Sequence, residues 1–237
     1  MIMEILRATD LSKVYGQQTV LDIPELILNQ GELIGLVGNN GAGKTTLMRL
    51  MLDLIEATTG EVLSNGLNVS QTVDWKEYTG SFIDESFLID FYTPEEYFEF
   101  IAEVYHIGKD ELQRRLEFFS ELMADEVLGK KKYIKTFSMG NRQKIGIIGA
   151  MLIQPKVLIL DEPFNYLDPS SQIVVARLIR QMNQELGTTV LISSHNLNSI
   201  ADISQRILLL EKGKLVKDLS NEPGSHAFEE LEAYFAQ

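Results

Sequence analysis

The chain has 237 residues, enough for one large domain or two small ones with a sizeable core, and its 45% apolar and 23% charged residues with 17 Gly and 6 Pro exclude disorder, collagen and low complexity. The absence of cysteine excludes disulfides, thiolate metal centres, iron–sulfur clusters and a cysteine nucleophile. With 21 basic against 34 acidic residues the net charge is −13, so no nucleic-acid partner is expected, although a single nucleotide in a local pocket is compatible with it.

The strongest apolar stretch, residues 145–153, is about half the length a membrane span needs, and residues 1–7 lack the basic lead, apolar segment and cleavage site of a secretory signal. The cytoplasm is therefore the expected compartment. The first third is rich in β-like runs, at 4–8, 11–15 and 20–28, followed by 33–37, whose continuous apolar character predicts a strand buried on both faces.

That strand runs into Gly38-Asn39-Asn40-Gly41-Ala42-Gly43-Lys44-Thr45, which fits G-x-x-x-x-G-K-[ST] and precedes an amphipathic helix through Leu47, Leu50, Met51 and Leu54. Small residues at this spacing let successive backbone N–H groups converge on phosphate oxygens at a helix N-terminus, where the partial positive charge favours anions. Lys44 is then placed for the β- and γ-phosphates, Thr45 for Mg²⁺, and Thr46 for one more contact.

Between about 92 and 151 the spacing turns helical, opening on Thr93-Pro94-Glu95-Glu96, an N-cap followed by proline at the first helical position, with Tyr97, Phe98, Ile101, Val104 and Tyr105 after it. Lys130, Lys131, Lys132 and Lys135 form a basic cluster that reads as a solvated face, with contact to a partner protein or lipid headgroups as the alternative. The apolar run 157–160 ends in Asp161-Glu162, at the strand edge where open α/β sheets bind ligands. Asp161 suits a Mg²⁺ shell. Glu162 suits the general base that polarises an attacking water. A helix over 170–186 closed by Gly187, a strand over 190–193 that ends just before His195, and a hairpin over 207–217 restore the strand–helix–strand rhythm of a parallel sheet. Residues 218–237 read as a polar stretch and an amphipathic helix with Phe228, Leu231, Tyr234 and Phe235.

With these residues in place, the sequence resembles the nucleotide-binding subunit of an ATP-binding cassette (ABC) transporter, from about residue 3 to 217. The family's Leu-Ser-Gly-Gly-Gln signature corresponds to Phe137-Ser138-Met139-Gly140-Asn141, in which Ser138 and Gly140 match while Met139 and Asn141 depart. Ser138 also makes a good N-cap for the following helix. The resemblance implies that Ser138 and Gly140 face ATP bound to a second subunit, that Tyr15 stacks on adenine, and that Asp168 belongs to a loop crossing the dimer, although Phe164-Asn165-Tyr166 before it is bulkier than the usual Thr-x-Gly. Asp84, in Phe82-Ile83-Asp84-Glu85, stands where the family carries a metal-touching glutamine, with Glu85 as the alternative register.

The implied fold is an α/β P-loop NTPase with a mostly parallel sheet core, an N-terminal antiparallel β-subdomain and an inserted α-helical subdomain. One cassette fills 1–237: core and β-subdomain at 1–84 and 156–217, the insert at 85–155, and a C-terminal segment at 218–237. The implied function is ATP hydrolysis with Mg²⁺, with Glu162, His195 and Lys44 catalytic and Thr45, Asp161 and Asp84 at the metal. Two copies would sandwich two nucleotides and drive a transmembrane permease of the exporter kind from the inner face of the membrane. Three other functions compete: a soluble cassette ATPase of translation or DNA maintenance, a small P-loop kinase, and a catalytically weak regulatory cassette.

Overall fold

The computed structural model describes residues 3–222 and 224–235. Strands β1 (Glu4–Tyr15) and β2 (Gln18–Asn29) form a long antiparallel hairpin. The runs expected at 4–8 and 11–15 are one strand. Asp10 takes a left-handed backbone, φ 47°, that shifts the register towards a third strand between Thr9 and Ser12 while pairing to β2 continues. Next come β3 (Leu33–Val37) and α1 (Lys44–Met51), the latter shorter than the apolar spacing suggested, with Leu54 beyond its end. Three strands absent from the sequence reading follow: β4 (Thr59–Ser64), β5 (Leu67–Asn68) and β6 (Thr79–Phe82).

The helical stretch comprises α2 (Pro94–Val104), α3 (Lys109–Phe118), α4 (Ser120–Met123) and α5 (Met139–Leu152). At the start of α2 the Thr93 hydroxyl accepts from the Glu96 N–H at 3.3 Å and the Glu96 carboxylate accepts from the Thr93 N–H at 2.8 Å, a reciprocal capping box. The chain closes with β7 (Val157–Leu160), α6 (Pro169–Leu186), β8 (Thr189–Ser194), α7 (Leu197–Ile203), the hairpin β9 (Arg206–Glu211) and β10 (Lys214–Ser220), and α8 (Ala227–Phe235).

Two sheets result. One is antiparallel, in the order β2-β1-β4-β5; the other runs β10-β9-β3-β8-β7-β6, parallel from β9 through β6. The central strands show why their sequences are continuously apolar. On β3, Leu33 and Val37 enter a core shared with α5 and α6, whereas Ile34 and Leu36 enter a second core with α1 and the antiparallel sheet. Leu158 and Leu160 of β7 likewise part from Val157 and Ile159, and Ile207 and Leu209 of β9 from Leu208 and Leu210. Side chains of alternate residues point to opposite faces, so a strand covered on both sides has no polar position to spare. The helices α2 to α5 belong to the first core, through Phe98, Leu112, Leu122 and Ile148 among others, and the fully buried Leu231 anchors α8 there.

Candidate functional site

The β3 carboxyl end opens into residues 38–43, and α1 begins at Lys44. Gly43 sits in the left-handed region at φ 109°, and a Cβ there would lie 3.1 Å from the Val20 carbonyl oxygen, so both backbone angle and space call for glycine. No side chain caps α1, which leaves its first-turn N–H groups without a side-chain acceptor and suited to an anion. Lys44 is buried. Its Nζ donates to the Gly38 carbonyl at 2.7 Å and lies 3.6 Å from Glu162 Oε1.

Because β3, β8 and β7 are parallel neighbours, Thr45, Ser193 and Asp161 meet at one sheet edge. The Thr45 hydroxyl donates to Asp161 Oδ2 at 2.5 Å and the Ser193 hydroxyl donates to Oδ1. Burial pushes the Asp161 carboxyl above its ordinary range, aided by the charge of Glu162 and opposed by Ser193, Thr45 and Lys44. Thr45 and Asp161 present two oxygens side by side. That donor set suits Mg²⁺, which usually takes only one or two protein carboxylates beside substrate phosphates.

Glu162 is held from four directions. Its N–H donates to Ser193 Oγ at 2.8 Å, its carbonyl accepts from Gln143 Nε2 at 3.1 Å, and its Oε2 accepts from the His195 N–H at 3.3 Å and lies 2.9 Å from His195 Nδ1. It also adopts φ 47°, a conformation costing a non-glycine residue about 1–3 kcal/mol that persists only where the surroundings over-determine it. Ser193 and Gln143 were not singled out from sequence. A serine closing the apolar run Val190-Leu191-Ile192 was a usable signal for the first; nothing local marks the second.

The remaining site residues lie elsewhere. Ser138 caps α5, its hydroxyl accepting from the Asn141 N–H at 3.3 Å. At Gly140 a Cβ would come within 2.6 Å of the Tyr166 carbonyl oxygen, so this glycine lets α5 approach the loop after Glu162. Asp168 caps α6 by accepting from the Ser171 N–H at 3.0 Å and from the Ser170 and Ser171 hydroxyls, which together hold its carboxyl well below the usual carboxylate range. Ser138, Gly140, Tyr166 and Asp168 line one cleft; Gly38, Asn39 and His195 line another, beside α8, and the two share no residue. Tyr15 ends β1 and is 54% exposed, with the Lys13 ammonium 4.9 Å from its ring centroid. Both Asp84 oxygens have partners: Oδ1 accepts from the Ser86 N–H at 2.8 Å and Oδ2 from Arg49 at 3.1 Å. Glu85 lies in the short 3₁₀ turn that follows.

A family model described as ABC transporter matches residues 21–165, spanning the phosphate loop, the Ser138 helix and the Asp161-Glu162 pair. The chain belongs to the ABC transporter ATPase family. It is 34% identical to YcbN of Bacillus subtilis, an uncharacterized ABC transporter ATP-binding protein, over 92% of this chain and 70% of that one. It is equally 34% identical to the bacitracin transport ATP-binding protein BcrA of Enterococcus faecalis, over 93% of this chain and 71% of that one. A solved ATP-binding subunit of an ABC transporter superposes with a TM-score of 0.85 at 26% identity, covering 98% of this chain and all of that one. Among the described residues, no helix of this ABC ATPase is long and apolar enough to cross a membrane.

Proposed function

We propose that two copies of this ABC ATPase close around two MgATP, each nucleotide lying between the 38–46 loop of one copy and the Ser138–Gly140 edge of the other, and that the cycle drives a membrane-embedded permease in the export direction. The observation that carries this reading is that Ser138, Gly140 and Asp168 line one cleft while Gly38, Asn39 and His195 line another, with no residue in common. A two-fold dimer would set the phosphate loop of each copy against the Ser138 helix start of the other, and a phosphate is favourable at both helix N-termini.

The chain's own groups supply the chemistry. Thr45 and Asp161 would hold Mg²⁺, which neutralises phosphate charge when bound. Lys44 exchanges the Gly38 carbonyl for phosphate oxygens. Glu162 accepts a proton from the attacking water as its oxygen bonds to the γ-phosphorus and the bond to ADP breaks, while the His195 ring, 2.9 Å away, holds that carboxylate in place.

The helical stretch at 85–155 is the docking side for the permease. Supporting this, Phe91 and Tyr133 stack edge-on at 6.5 Å and are 67% and 49% exposed, and the Lys135 ammonium sits 3.8 Å from the Phe91 ring centroid. Lys130, Lys131, Lys132 and Lys135 are exposed, and none has a carboxylate within salt-bridge distance among the described residues. The bacitracin transport relative supports a role in transport. Such docking would hold the chain at the inner face of the membrane.

Sedimentation of Glu162→Gln with and without MgATP tests the dimer: a nucleotide-dependent shift from monomer to dimer is expected, and a monomer at saturating ATP overturns the reading. Lys44→Ala should lose nucleotide binding by equilibrium titration; unchanged affinity would refute the role given to Lys44.

A further inference from the structure

The segment from Asp84 to Asp90 leaves the edge strand β6, leads to α2, and is gripped by a guanidinium on each side. On one side Arg49 Nη2 donates to Asp84 Oδ2 at 3.1 Å. Arg49 lies four residues beyond Thr45 on α1, so the residue that donates to Asp161 and the one that holds Asp84 share a helix face. On the other side Arg142 Nη2 reaches the Glu85 carbonyl at 3.4 Å and Asp90 Oδ1 at 3.3 Å. Arg142 lies one turn beyond the Ser138 cap on α5 and next to Gln143, which donates to the Glu162 carbonyl.

Each arginine uses only one terminal nitrogen here. The Nε atoms of Arg49 and Arg142 are buried without partners, two of only three such side-chain atoms among the described residues. Neither guanidinium is locked in a two-pronged fork, so each keeps a donor without a partner. Burial opposes the charge on Asp84, but the Ser86 hydroxyl and N–H and the Arg49 guanidinium outweigh it and hold the carboxyl below its usual range. The link is therefore an ion pair.

We propose that Arg49 and Arg142 are positioning residues that join the phosphate loop helix to the Ser138 helix through the 84–90 segment, with the Arg49–Asp84 ion pair as the connection on the nucleotide side. Its effect on turnover rests on the ATP-driven dimer proposed above; its effect on the segment does not.

Hydrogen exchange on the nucleotide-free full chain tests the clamp directly, because the amides of Ser86, Phe87 and Leu88 all donate to Asp84 or Glu85 acceptors. Arg49→Gln and Arg142→Gln should each raise exchange at 86–88 about two- to fivefold, the range of a partly exposed ion pair, while Arg49→Lys restores most of the protection. Unchanged exchange in both Gln variants overturns the clamp.

For turnover, Arg49→Gln and Asp84→Asn should each lower kcat about two- to fivefold at an unchanged KM for ATP, and the double variant should be no slower than the slower single. Losses that multiply, or a raised KM at full kcat, overturn the coupling role. A wild-type chain that binds no nucleotide would sink the proposed function alone, because the exchange result judges the clamp independently.

Discussion

Asp161 and Glu162 are tied to Thr45, Ser193, Gln143 and His195 of the same chain, the Gln143 bond going to the Glu162 backbone carbonyl, whereas Ser138 and Asp168 satisfy only the ends of their own helices and otherwise face outward. The difference follows from position. The first group stands at the carboxyl edge of adjacent parallel strands, where burial makes an unpaired polar group costly. The second stands at exposed helix starts, where a cap suffices and the outward face stays exposed. One region is tied together within the chain; the other would be completed by the second copy in the proposed dimer.

The sharpest way to break this contrast is Glu162→Gln, which keeps the shape of the pinned side chain but removes its basicity. Phosphate release should fall by about 10²- to 10⁴-fold with nucleotide affinity retained, and normal turnover would show that the buried region is not where the proton goes. Ser193→Ala should come next. It strips a donor from buried Asp161 and an acceptor from the Glu162 N–H, so urea unfolding should report a loss of about 1–3 kcal/mol.

On the outward side, Gly140→Ala forces a Cβ against the Tyr166 carbonyl oxygen at 2.6 Å. Because both groups belong to one chain, the crowding should lower stability in urea unfolding by about 1–3 kcal/mol, with nucleotide binding by the single chain unchanged. If that variant instead weakens nucleotide binding by the monomer, the two regions are not separate. The smallest effect belongs to Thr93→Ala, which breaks the capping box of α2 well away from both clefts. It should cost about 1 kcal/mol in thermal or urea unfolding and leave kcat untouched, providing the baseline against which the site variants are read.

The legibility of these features in the sequence differed by their physical range. The phosphate loop, the Asp161-Glu162 pair and the position of His195 were readable because each sits within a few residues of a continuous apolar strand. The Thr93 cap followed by Pro94 was readable because helix capping is set by neighbours along the chain. Strand β6 was not: Thr79-Gly80-Ser81-Phe82 has little β-like pattern, and it is a strand because it pairs with β7, more than seventy residues later in the chain. The surroundings of Asp84 were equally hidden. Its partner Arg49 is 35 residues away, on a helix whose pattern shows only its apolar face, so nothing local marks the bond between them.

The sequence by itself determined the buried strands and the phosphate loop, because two-faced burial and a glycine-rich turn into a helix are set by neighbours along the chain. The tertiary structure alone decided which polar groups meet. Strand order brought Ser193 to Asp161 and Glu162, helix packing brought Gln143 to the Glu162 carbonyl and Arg142 to Asp90, and the same packing kept the Ser138 edge apart from the phosphate loop. Hydrogen bonds and ion pairs act only over a few ångströms, and such distances between residues far apart in sequence exist only once the sheet has formed.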